Sequence, residues 1–143
     1  MSLSQVLGYQ LTQANLESLA NFEQAVGQPF ELRPVEYTLL QLLREGLCTT
    51  PSQLAKELRI TPPSMSVWLD KLTARGLLSR SKSTVDGRAQ QLALTAKGQK
   101  LILQAHDKLL ASEQRMQAHL SMGERTLLLE LLQKISKNGI KPA

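Results

Sequence analysis

The sequence predicts a mainly α-helical chain with one small β-hairpin, an α+β fold in which the strands are a minor part. Three observations predict it. Apolar residues recur at helical spacing along most of the 143 residues. Ser or Thr caps, two of them followed by proline, head several of these periodic runs. One stretch, residues 77–94, drops the helical period around an Asp86-Gly87 turn signal and reads as a hairpin.

Taken in order, residues 3–26 form a long first helix with Leu3, Val6, Leu7, Leu11 and Ala14 on one face. Leu16, Leu19, Ala20, Phe22 and Val26 carry the apolar surface round a second side, which is wide enough to bury against another chain as well. Gly27 is the expected C-terminal stop, and Pro29 the residue that forbids continuation. Pro34 opens a second helix whose stripe is Val35, Leu39, Leu42 and Leu43, closed by Gly46. Thr50-Pro51-Ser52-Gln53 matches a capping box and opens a short helix ending at Leu58. Thr61-Pro62 repeats the signature and opens a helix to about Arg75. Its inner face is Met65, Trp68, Leu69 and Leu72, its outer face Pro63, Ser64, Ser66, Val67, Asp70 and Lys71, and Gly76 stops it. Two strands follow, at 77–82 and 89–94. Thr95 caps a helix to about His119, and Ser121 with Glu124 forms another capping box for a last helix bearing Leu127, Leu128, Leu131, Leu132 and Ile135.

Composition excludes several classes. A 3% aromatic content is too low for a base-stacking platform. A single cysteine, Cys48, rules out an intrachain disulfide and a cysteine zinc cluster. No apolar run approaches the roughly 20 residues of a membrane span, and the first ten residues lack a basic leader with an apolar core. A soluble, cytoplasmic, single-domain chain is expected. His106 and His119, thirteen residues apart on one expected helix, are too distant to share an ion, so no metal or cofactor is indicated. No nucleophile triad, glycine-rich phosphate loop or paired carboxylates point to an enzyme.

Charge is concentrated. Lys71, Arg75, Arg80, Lys82, Arg88, Lys97 and Lys100 face one acid, Asp86, within residues 71–100, which carry +6, while the rest of the chain carries −1. Such local positive charge is the footprint of a phosphate-facing surface. Two short helices joined by a brief turn, the second small and polar outside, have the form of a helix-turn-helix. The second helix would then enter a DNA major groove. Ser64 and Ser66 would meet bases or phosphates, Pro63 would line the same face, and Val67 would touch a thymine methyl. Ser52 and Thr61, at the two helix heads, belong to the same expected DNA-binding set. Lys71, Arg80 and Lys82 would be backbone contacts that set register. Arg88, at the base of the hairpin tip, would extend into an adjacent minor groove, with Asp86 bonding the turn or orienting it.

The segments LAKELRITPPSMSVWLDKLTARGLLSR and DGRAQQLALTAKGQKLI closely resemble the winged helix-turn-helix of the MarR family of bacterial transcription regulators. The resemblance covers about fifty residues closely and the remainder in helix layout. It implies a homodimer on double-stranded DNA, with 34–98 as the winged DNA-binding part and 1–27 with 99–138 as dimerisation helices. It also implies a repressor on a pseudo-palindromic operator and a wing-tip role for Arg88. Relatives carry a phenolic-acid effector pocket between the dimer helices and the winged part, where Tyr37 could stand. The residues also read as a core tyrosine with a satisfied hydroxyl, because 3–26 offers no Arg, Lys or His to clamp a carboxylate. Peroxide-sensing relatives place their reactive cysteine in the first helix, whereas Cys48 follows the second. Two departures stand out: Val67 where relatives often carry a polar or basic base-reader, and Arg33 where a Ser or Thr cap is expected. The alternative from another class is a winged-helix module for protein–protein contact.

Overall fold

Cap chemistry sets where the chain turns. A computed structural model describes residues 1–82 and 90–139. A single 3₁₀ turn, Leu3–Gln5, precedes α1 (Leu7–Phe22), a π-helical stretch Glu23–Gly27 and a short helical turn Gln28–Phe30. Then come α2 (Pro34–Glu45), α3 (Pro51–Leu58), α4 (Pro62–Ala74), β1 (Leu78–Lys82), β2 (Gln90–Leu94), α5 (Ala96–Met116) and α6 (Met122–Asn138).

The first helix differs from expectation at both ends. Val6 is extended, so the 3₁₀ turn is separate from α1. Gly27 is right-handed, with φ −56°, and does not stop the chain. Instead the helix widens into a π turn, and Pro29 enters the first turn of a new helical segment, where its missing N–H costs nothing. Termination falls to Glu31, left-handed at φ 52°, while the Leu32 N–H reaches back to the Gly27 carbonyl at 3.2 Å. The long helix also ends early, at Met116 rather than near His119. Ser121 must be extended to cap α6, and residues 117–120 form the turn that lets it. His119 is therefore off the helix.

Three of the other caps act as read. Thr61 Oγ1 accepts from the Ser64 N–H at 3.3 Å, and Thr95 Oγ1 from the Gly98 N–H at 3.0 Å. Ser121 and Glu124 complete a reciprocal box, which also holds the Glu124 carboxyl below its ordinary pKa. The box at Thr50 is shifted by one residue. Thr50 Oγ1 accepts from the Gln53 N–H, but Gln53 Oε1 accepts from the N–H of Thr49.

β1 and β2 pair antiparallel, with Leu78 opposite Leu94, Arg80 opposite Leu92 and Lys82 opposite Gln90. The Leu92 N–H also reaches the Thr49 carbonyl at 2.8 Å, tying the hairpin to the start of α3. The core lies beneath α3 and α4. Leu39, Leu54, Met65, Leu69, Leu72, Leu77 and Ile102 are buried, each fully buried side chain contributing about 1.5–3 kcal/mol before entropy is subtracted. The two terminal helices contrast with this. α1 buries only Phe22, and α6 buries none of its residues. Leu7, Leu11, Leu16, Leu127, Leu128 and Leu131 all lie open.

Candidate nucleic-acid interface

Two short helices with opposite demands build the site. α3 and α4 bury Leu54, Met65, Leu69 and Leu72 and so must show the rest outward. The turn between them is made by Arg59, left-handed at φ 53°, and the Ile60 N–H, which closes on the Ala55 carbonyl at 3.0 Å. On α4, Pro63, Ser64, Ser66, Val67, Asp70 and Lys71 are all exposed, one continuous and mostly polar surface over nearly three turns. Thr61 donates its hydroxyl proton to Ser64 Oγ at 3.0 Å. Ser52 stands exposed at the head of α3, in contact with the Thr50 hydroxyl.

The basic residues sort into two groups. Arg75 points away from this face. Its guanidinium donates to the Glu31 and Phe30 carbonyls at 2.6 and 3.2 Å and lies 4.0 Å from the Glu36 carboxylate. Lys97 donates to the Arg75 carbonyl at 2.9 Å. Both belong to the expected charge footprint, yet both serve as ties: Arg75 pins the turn after the π stretch to the end of α4, and Lys97 pins the start of α5 to it. Lys71, Lys82 and Lys100 remain exposed. Arg80 is divided: its Nη2 pairs with Asp70 Oδ1 at 2.8 Å, while its Nε is buried without a partner among the described residues. That pair joins the outer face of α4 to β1. Spacing within the sequence could not reveal it, because Asp70 and Arg80 lie on different elements. Asp86 and Arg88, expected at the hairpin tip, lie outside the described residues.

Tyr37 sits at another place, where α2 meets α5. Its hydroxyl and His106 Nδ1 share a 2.6 Å hydrogen bond, and its ring meets Phe22 edge-on at 5.7 Å. Burial, reinforced by the Glu113 and Glu45 carboxylates, pushes its pKa up to about 12. The folded state thus holds the phenol proton more tightly than the unfolded chain does. The contribution of Tyr37 to stability is expected to be level below pH 10 and to fall as pH rises from 10 towards 12. Tyr37→Phe should abolish that alkaline fall in denaturant titrations, and an unchanged pH profile in the variant would refute it. Cys48 is buried and its thiol is pushed up by burial, with Glu57 adding to the shift, the reverse of what activates a cysteine.

A family model described as MarR family matches residues 32–89. Over whole chains the structure is similar to the transcriptional repressor CouR bound to a 23-mer DNA duplex, with 33% identity, 94% of both chains covered and a TM-score of 0.84. It is also similar to a probable transcriptional regulator from Pseudomonas aeruginosa, at 26% identity, covering 94% of this chain and 99% of that one, with a TM-score of 0.82. The HTH-type transcriptional repressor Rv2887 of Mycobacterium tuberculosis is 27% identical over 110 residues, 77% of this chain and 79% of the relative.

Proposed function

This chain belongs to the MarR family and is a DNA-binding transcription regulator, and from that premise we propose that it is a homodimeric repressor of a pseudo-palindromic operator. Residues 34–98 form the reading head, and 1–27 with 99–138 the pairing base. One observation carries the reading: the exposed face of Pro63, Ser64, Ser66 and Val67 sits on a helix that is braced from behind by α3 and joined sideways to the hairpin through Asp70 and Arg80. A small-residue helix face of this kind can lie close to base edges, while Lys71 and Lys82 neutralise phosphates and Arg80, paired with Asp70, borders the backbone beside them. Val67 supplies an apolar contact suited to a thymine methyl. Arg88 and Asp86 take the wing-tip roles in the same reading, and Ser52 and Thr61 approach the backbone from the helix heads.

Homodimerisation follows from the terminal helices. A 17-residue helix with none of its residues buried gains little from folding against its own chain. The leucines of α1 and α6 supply the apolar surface that a second copy would cover. A small effector acting through Tyr37 would work at the junction between the pairing base and the reading head.

Selection of bound duplexes from a random pool tests the reading. An enriched sequence with two inverted half-sites about one helical turn apart, bound at least a thousandfold more tightly than random duplex, is expected. Equal affinity for selected and random duplexes would refute a sequence-selective repressor.

A further inference from the structure

Arg33, Trp68 and Lys71 form a cluster in which only Lys71 has been given a role above. Trp68 was expected on the inner face of α4, but it is only half-buried, at the edge of that face. The Arg33 guanidinium carbon lies 5.7 Å from its ring centroid and the Lys71 ammonium 5.0 Å. Both distances are short enough for a cation to be attracted by an indole ring. Both cations are exposed, and neither forms an ion pair among the described residues.

Two positive charges gathered on one ring repel each other. Arg33 carries a further penalty, since it directly precedes the N-terminus of α2, where the helix dipole disfavours a cation. Its side chain does not cap that helix. The capping contact is made by Glu36 Oε1, which accepts the Arg33 backbone N–H at 2.9 Å. The isolated protein therefore gains little from an arginine here, and an anion seated on the cluster would relieve both penalties.

The position on α4 identifies the anion. Lys71 lies four residues beyond Val67 and seven beyond Ser64, so the three share one exposed stripe. The cluster extends the proposed reading face at its C-terminal end, towards the head of α2. A duplex that takes the first turn of α4 into its major groove has a phosphate strand bordering the groove beside the rest of that helix. We propose that Arg33 and Lys71, gathered by Trp68, together bind that phosphate strand, with Arg33 a DNA contact supplied from outside the helix-turn-helix. This rests on the DNA-binding reading above.

Full-length protein, Arg33→Gln and Arg33→Lys are titrated with a random-sequence duplex at 50 and 200 mM salt, after thermal melts have shown the variants to be folded. Each lost phosphate contact removes about 0.9 from the slope of log K against log salt. The advantage of the wild type over Arg33→Gln should therefore shrink about 3.5-fold per reading head between the two salts. Arg33→Lys should keep most of the slope. If the wild type binds and Arg33→Gln weakens binding with no change of slope, Arg33 has a structural role and the inference fails, while the DNA-binding reading stands. If the wild type binds no duplex at any salt, the DNA-binding reading itself fails and takes the inference with it.

Discussion

Replacing Gly98 with alanine is expected to destabilise the protein by about 3 kcal/mol, read as a lower urea midpoint at unchanged slope. Alanine in a helix normally gains about 1 kcal/mol over glycine, so the sign of the change is itself diagnostic. Gly98 lies in the first turn of α5, where a Cβ would overlap the backbone carbonyl of Leu77. That carbonyl cannot yield easily. It accepts the Thr95 N–H at 3.1 Å, and Thr95 Oγ1 donates to the neighbouring Gly76 carbonyl at 2.6 Å. The helix must move instead, and it carries the buried Ile102 and Ala105 with it. Gly123→Ala is the control: a Cβ there meets nothing closer than 4.0 Å, and the substitution should raise stability by about 0.5–1 kcal/mol. A stabilising Gly98→Ala would show that α5 does not sit tightly on the end of α4.

The paired substitution Leu128→Glu with Leu131→Glu should turn a dimer into a folded monomer in light scattering. Both leucines lie open on a helix that buries nothing within its own chain. A carboxylate left unpaired in a covered interface costs about 3–5 kcal/mol, so dimerisation should weaken at least roughly a hundredfold. Affinity for a duplex with two half-sites should fall with it, whereas affinity for a single half-site should change little. The core beneath α3 and α4 is remote in sequence from these positions, and the thermal melt of the reading head should remain cooperative. A dimer that survives both charges would place the pairing surface elsewhere.

Local chemistry made much of this architecture legible. The threonine-plus-proline heads of α3 and α4 and the glycine stops after α2 and α4 fall where composition puts them, since each is settled by residues within one turn. Ambiguity began where the deciding partner was distant. Gly27 looked like a helix end, yet a π turn carried the chain through it, and a left-handed Glu31 took over the ending. Arg75 and Lys97 added to a positive stretch, but the carbonyls that hold Arg75 belong to residues 30 and 31, far away along the chain. Periodicity placed Trp68 inside, and its ring does pack against the core, but it sits at the edge of the stripe with part of the ring left uncovered. Arg33 did leave a signal. A cation where a cap belongs is locally unfavourable, and such a conflict marks a residue retained for something other than the fold.

α5 ties the two ends of the molecule together. Its first turn is pinned to Gly76 and Leu77, just past the end of α4, and its far end lies beside the open surface of α1 and α6. At 21 residues it spans roughly 30 Å. As a stiff lever of that length, it would convert a tilt of about 6° at the base into about 3 Å at the head, close to the rise of one base pair. The spacing of two heads on DNA is thus an angular quantity, and a change too small to break any contact in the core could put them out of step with the helical repeat.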